Sequence, residues 1–264
     1  MKFENAEQVM QNREVHQALV RWLYQLADDE LVLGHRDSEW LGLCPDIEGD
    51  VAFSSVAQDE VGHAVLYFDL LHELGEPDPD NMAYERSVGD RFNATLVARD
   101  NGDWAYSVAR HFLYDLFDDL RLEAMSDSSY LPLKQGVAKI RREEFYHLLH
   151  MRTWFVRLGQ AGGEAGERLA AGVRKVWNDL ADLFDFGPYE EVLLKSGIIS
   201  FGSEELKRRW TERVRELFAE ARLEWPGEFP EAELKGRRGE HGEEMKNLLS
   251  TMTEVYDLDP AARW

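Results

Sequence analysis

Two segments of the chain carry Glu and His three residues apart in the middle of an apolar stripe of helical spacing, and this restricts the fold more than any other feature. The first stripe runs Phe53, Val56, Glu60, His63, Tyr67, Leu70, Leu74, and the second runs Val137, Ile140, Glu144, His147, Met151, Trp154. An i+3/i+4 rhythm marks the buried face of an amphipathic helix, and residues three apart project from one side of it. Glu-x-x-His by itself is a common pattern on solvated helices. Burying an unpaired carboxylate costs roughly several kcal/mol, so two such pairs in core phase require compensation. A metal cation supplies it; a buried network of ion pairs and hydrogen bonds among the same residues is the alternative.

Helical periodicity extends over almost the whole chain, and β-branched alternation of strand length is nearly absent, which predicts an all-α fold. The punctuation predicts helices over about 14–33, 47–74, 103–126 and 132–159, the third capped by Asp103. Between the second and third lies a stretch from Glu76 to Asn101 rich in Asp, Asn, Gly and Pro, with a short helix expected over about 92–98. Further helices are predicted over about 165–184, 189–195, 203–223 and 239–256.

The other two long helices each offer an inward carboxylate. In the first, Leu19, Leu23, Leu26, Glu30, Leu33 places Glu30 in core phase, with Asp28 and Asp29 pointing more sideways. In the third, Trp104, Val108, His111, Asp115, Leu122 carries Asp115, with Asp119 as its rival one turn later. Glu30 precedes Glu60 by 30 residues and Asp115 precedes Glu144 by 29, so each antiparallel pair sets its acids at one height. Four helices, a long crossover and this acid and histidine set predict a ferritin-like four-helix bundle with additional C-terminal helices. We expect a single domain over 1–264, its core bundle at about 14–160 and its helical extension at about 164–257.

The candidate metal ligands are therefore Glu30, Glu60, His63, Asp115, Glu144 and His147, a set suited to two first-row ions, iron ahead of manganese. The only cysteine, Cys44, excludes a disulfide framework or a thiolate zinc site within one chain and reads as a packing residue. His111 is either a donor to Asp115 or a satisfied core histidine, and His16, His35, His72 and His150 are expected at helix surfaces or ends. Trp22, Trp40, Trp154 and Trp177 read as core, and Tyr67 and Tyr146 are placed to approach the acid cluster. The loop Lys235-Gly236-Arg237-Arg238-Gly239 either binds phosphate groups or an acidic partner helix, or is solvated.

With 51 acidic against 30 basic residues, the formal charge of −21 repels nucleic acid and anionic membranes over the surface as a whole. It suits docking on basic partners, or simply solubility. The N-terminus has no apolar run of signal-peptide length and no segment approaches 18 uncharged apolar residues, so a cytoplasmic protein with no membrane span is expected.

The chain also resembles the bacterial phenylacetyl-CoA epoxidase subunits, ring-epoxidising multicomponent monooxygenases, and over nearly its whole length the PaaC-type subunit. The resemblance is carried by the segments 31–40 (LVLGHRDSEW), 58–64 (QDEVGHA), Trp104 through Asp115, 142–147 (REEFYH), 235–241 (KGRRGEH) and the terminal Trp264. It implies a ferritin-like subunit paired with a catalytic PaaA-type subunit, in a complex with a reductase that epoxidises the ring of an aromatic acyl-CoA. In that scheme the PaaC-type partner is usually a metal-free structural support with a degraded ligand set. This chain keeps all six candidate ligands, matching the PaaA-type di-iron pattern. A stand-alone ferritin-like protein handling iron or peroxide is the remaining alternative; a homo- or hetero-oligomer is expected.

Overall fold

The computed structural model describes residues 2–260 and 262; Trp264, which contributes to the resemblance above, lies outside the described residues. The α-helices are α1 (Ala6–Met10), α2 (Arg13–Ser38), α3 (Ile47–Glu73), α4 (Thr95–Ala98), α5 (Trp104–Met125), α6 (Leu131–Ala161), α7 (Gly163–Trp177), α8 (Leu180–Leu183), α9 (Glu190–Ser196), α10 (Ser203–Glu220) and α11 (Glu243–Thr253). Among the described residues the only β pairing is an isolated bridge between Phe3 and Tyr130. The architecture is an all-α, ferritin-like bundle, as the periodicity predicts.

Local chemistry sets the ends of the core helices. Asp46 caps α3 by accepting from the Gly49 N–H at 2.7 Å, and Asp103 caps α5 by accepting from the Tyr106 N–H at 2.9 Å. Pro132 occupies the first turn of α6, where its missing N–H has no consequence. Short turns join α2 to α3 and α5 to α6, making antiparallel pairs, and the long connection between α3 and α5 returns the chain along the bundle.

The first core helix is longer than its sequence pattern predicts, running through Gly34 to Ser38. A Cβ on Gly34 would lie 3.0 Å from Glu60 Cβ and 3.2 Å from the Ala57 carbonyl oxygen, so the glycine permits α2 and α3 to approach at the level of Glu60 rather than ending the helix. The helix predicted over 165–184 is two, α7 and α8, because the chain breaks at Asn178 and Asp179. There the Asp179 carboxylate leaves the helical path to accept from Arg99 Nε and Nη2, both at 2.9 Å. The last predicted helix is shorter, with separate single turns at Gly236–Arg238 and Tyr256–Leu258.

The C-terminal helices close one side of the bundle with aromatic rings. Trp177, Phe184, Trp210, Phe218 and Phe229 pack with centroids 5.1 to 6.0 Å apart, and Trp210 Nε1 donates to the Leu113 carbonyl of α5 at 3.0 Å. Trp22 and Trp177 are buried and Trp40 and Trp154 half-buried, in keeping with core roles. Cys44 packs against the same core, and burial pushes its thiol up to about 11. No helix of the described residues is long and apolar enough to cross a membrane.

Candidate metal centre

The two Glu-x-x-His pairs face each other across the seam between α3 and α6, and their contacts are reciprocal. His63 Nδ1 lies 3.4 Å from Glu144 Oε1, while His147 Nδ1 lies 3.3 Å from Glu60 Oε1. Each imidazole turns its other nitrogen outward to the acid that precedes the Glu of the opposite helix: His63 Nε2 to Glu143 at 3.0 Å, and His147 Nε2 to Asp59 at 3.2 Å. Glu30 of α2 completes the group, its Oε2 3.4 Å from His63 Nδ1. Donor atoms of Glu30, Glu60, His63 and Glu144 all lie within 4.8 Å of one another, and all four residues are buried.

Asp115 of α5 stands outside this four-residue group and is held in a second chain of contacts. His111 bridges two acids, its Nδ1 2.6 Å from Asp115 Oδ1 and its Nε2 2.9 Å from Asp37 Oδ2. Donor atoms of Asp37, His111 and Glu60 also fall within 4.8 Å of one another, so Glu60 joins the two groups. The rival Asp119 turns away and accepts from Arg213 Nη1 at 2.7 Å. Tyr67 is buried without a partner for its hydroxyl among the described residues, whereas Tyr146 is exposed on α6 and does not enter the centre.

Asp28 and Asp29 do point sideways, but into the protein. Asp28 accepts from the Phe92 N–H at 2.9 Å and pairs with Arg86. Asp29 accepts from the Ala94 N–H at 2.8 Å, from Arg121 Nη1 at 2.6 Å and from Arg237 Nη2 at 2.7 Å. Arg121 in turn stands 3.4 Å from Glu30 and donates to Tyr114 and Asp118. The basic loop is therefore divided: Arg237 is inserted into the core, Arg238 pairs with Asp185 at 2.5 Å, and Lys235 stays half-exposed. Neither a solvated loop nor a phosphate site describes Arg237, because a guanidinium has no reason to leave water for this position except the buried Asp29.

Crowding of like charges in a dry space shifts the titrations. Burial and the neighbouring Glu60 hold Glu30 well above the usual carboxylate range. Burial pushes Asp115 up to about 6 against the opposing pull of His111. For His147 burial opposes protonation, but Glu144 and Glu60 outweigh it and hold the imidazole up at about 12; Glu144, Glu30 and Glu60 raise His63 in the same way. The two imidazoles correspondingly hold Glu144 below its ordinary value despite burial.

The donors fit a cation. Glu30 Oε2, Glu60 Oε2, His63 Nδ1 and Asp115 Oδ2 are buried without a hydrogen-bond partner among the described residues, a combination that is costly unless something else satisfies them. Both histidines offer Nδ1 inward with Nε2 fixed by an acid, the arrangement by which carboxylates orient metal-binding imidazoles. These buried acidic and histidine groups can hold a metal ion. Asp59, Glu143, Asp37, Arg121 and Arg237 lie outside the ligand reading of the sequence. For two of them a signal exists: Asp59-Glu60 and Glu143-Glu144 repeat a doubled acid at the same place in both pairs.

A bundle whose long helices turn carboxylates and two Glu-x-x-His pairs toward one buried centre belongs to the ferritin-like carboxylate and histidine proteins. The family model described as phenylacetic acid catabolic protein matches residues 1–264, and the chain belongs to that family. Its sequence is 30% identical over 247 residues, 93% of this chain and 99% of the relative, to a component of the 1,2-phenylacetyl-CoA epoxidase of Escherichia coli (strain K12).

Proposed function

We propose that the chain is a component of a phenylacetyl-CoA epoxidase-type monooxygenase in phenylacetate catabolism, with a carboxylate-bridged di-iron centre of its own. The carrying observation is the reciprocal pair of inward Nδ1 atoms, His63 toward Glu144 and His147 toward Glu60, with orphaned carboxylate oxygens beside them. In this reading Glu30, Glu60, His63, Asp115, Glu144 and His147 would hold the two ions; manganese fits the same donors. Two irons, when bound, would supply the redox chemistry that activates dioxygen for attack on the ring of an aromatic acyl-CoA. The residues around them orient the ligands: Asp59 and Glu143 fix the imidazoles, His111 steadies Asp115, and Arg121 steadies Glu30. PaaA-type, reductase and other epoxidase subunits are the partners this role requires.

The test is elemental analysis of protein produced with iron. About two ions per chain are expected, with the magnetic coupling of a bridged pair. Protein that neither carries iron nor takes up iron or manganese on reconstitution would reject the centre.

One observation favours a second reading, a metal-free subunit that supports a catalytic partner. Arg121 already lies 3.4 Å from Glu30, and two protonated imidazoles would neutralise much of the remaining acid charge. The same elemental analysis separates the two readings.

A further inference from the structure

Tyr67 is buried beside the candidate metal centre, and nothing in the function proposed above uses it. It follows His63 by four residues on the same face of α3, a spacing at which Cβ atoms stand about 5–6 Å apart. Its side chain is fully buried, and its hydroxyl has no hydrogen-bond partner among the described residues. The charges that act on that hydroxyl are Glu30, Asp118, Arg121 and Glu144, brought by α2, α5 and α6, so it looks toward the bundle axis where the candidate ligands gather.

Other tyrosines of the fold are placed differently. Tyr24 donates to Glu76 at 2.7 Å, and Tyr114 accepts from Arg121 Nη2 at 2.9 Å. The Tyr130 hydroxyl is also buried and unpaired, but the charge that acts on it is Glu73, at the far end of α3 from the acids of the centre. A phenylalanine would fill the place of Tyr67 without stranding a hydroxyl, so packing does not account for the oxygen. What the phenol has and phenylalanine lacks is a hydrogen atom that can leave as an electron and a proton together. Burial, with Glu30 and Asp118 beside it, holds the phenol well above its ordinary value against the pull of Arg121, so the anion is not formed. A phenoxyl radical carries no charge, so the dry surroundings do not penalise it, and they keep reductants away.

We propose that Tyr67 gives one electron and one proton to the iron-loaded centre and then persists as a buried neutral radical, an assignment that rests on the di-iron reading. Reduction of dioxygen to two waters takes four electrons and four protons. Two ferrous ions give two of the electrons as they become ferric. Tyr67 gives the third, with a proton, as its O–H bond breaks. A one-electron donor gives the fourth: a reductase in the complex, or a further ferrous ion in solution. The other three protons come from solvent, the O–O bond breaks and four O–H bonds form. With this donor in place the centre can carry dioxygen through to water when no substrate ring is present, rather than release it partly reduced.

The test is electron paramagnetic resonance of the full chain, loaded with ferrous iron, mixed with oxygenated buffer carrying a further ferrous ion per centre and frozen at once, with iron measured on the same sample. A phenoxyl signal is expected, narrowed when the protein is made with ring-deuterated tyrosine and lost in Tyr67→Phe when the two are compared per bound iron. Metal-free Tyr67→Phe should melt about 2–4 °C higher than the unchanged chain, because an unpaired buried hydroxyl has gone, so loss of the signal is not loss of the fold. A chain that holds its irons and gives no radical, or whose radical survives in Tyr67→Phe, overturns the proposal and leaves the metal centre standing. A chain that holds no iron overturns the centre, and this role of Tyr67 with it. A variant that melts lower means that the hydroxyl has a structural partner, and counts against the proposal.

Discussion

Arg237, on the loop before the last helix, donates to Asp29 at 2.7 Å across a separation of 208 residues, beside the Glu30 of the candidate metal centre. Asp29 also receives Arg121, which stands 3.4 Å from Glu30, so the C-terminal loop and the acid cluster share one buried network. Removing Arg237 should therefore be felt far from its own loop. Arg237→Ala is expected to cost about 3 to 5 kcal/mol, the usual penalty for stranding a buried charge. Thermal denaturation should record a fall of roughly 10 °C. Arg238→Ala, which breaks a partly exposed pair with Asp185, is the control and should cost less than about 1 kcal/mol. Equal losses for the two variants would remove the network argument.

The contrast between Arg237 and Glu30 shows what a sequence can disclose. Glu30 lies in phase with Leu23, Leu26 and Leu33, so periodicity alone turns it inward, and the same rule finds Glu60, His63, Asp115, Glu144 and His147. The fold class follows from that rhythm too. Arg237 belongs to no helix of useful length, and its partner comes from α2, so no local pattern encodes the contact. Asp37 and His111 are intermediate: both lie on core helices, but their pairing depends on how α2 and α5 meet. The break at Asp179 is hidden for the same reason, because its cause, Arg99, sits 80 residues away.

His111 holds two buried acids at once, and its loss should be felt in stability. In His111→Ala, Asp37 and Asp115 would lose the hydrogen-bonded cation they share, costing about 3 to 5 kcal/mol in metal-free protein. His111→Gln, which can still donate one hydrogen bond, should lose less. Urea denaturation of both variants measures the difference; a His111→Ala protein as stable as the unchanged chain would show that the acids are satisfied elsewhere.

Acidification should cost the fold stability at His241, while the raised His63, His111 and His147 act in the opposite sense. Burial lowers its folded pKa below 6.5, and its Nε2 contacts the Arg91 carbonyl at 3.0 Å. Below about pH 6.5 the unfolded chain takes up a proton that the folded chain refuses, so the stability present at higher pH is lost as pH falls through the unfolded value. His35 and His150 are shifted in the same direction by burial. Replacing His241 by Asn removes one of these protons, so acidification from pH 7.5 to pH 5.5 should raise the stability of the variant relative to the unchanged chain, by at most about 1.4 kcal/mol. Parallel denaturation curves at the two pH values decide this, and an equal change in both proteins counts against it.

The acids that orient the imidazoles should control metal affinity without controlling the fold. Asp59 touches His147 and Glu143 touches His63, each on the nitrogen that faces away from the carboxylates. Asp59→Ala or Glu143→Ala should lower metal affinity about 10- to 100-fold, as loss of an orienting partner generally does. Both acids are partly exposed, so each change should cost less than about 1 kcal/mol of stability in metal-free protein. They act on different histidines, so the double variant should lose affinity close to the sum of the two free-energy changes. In metal-free protein His63 and His147 hold protons that metal must displace from Nδ1, so uptake should release protons and tighten as pH rises. Calorimetric titration with ferrous iron in two buffers of different ionisation enthalpy reads both quantities. Equal apparent heats in the two buffers would mean that no proton leaves, and that the imidazoles do not bind the metal.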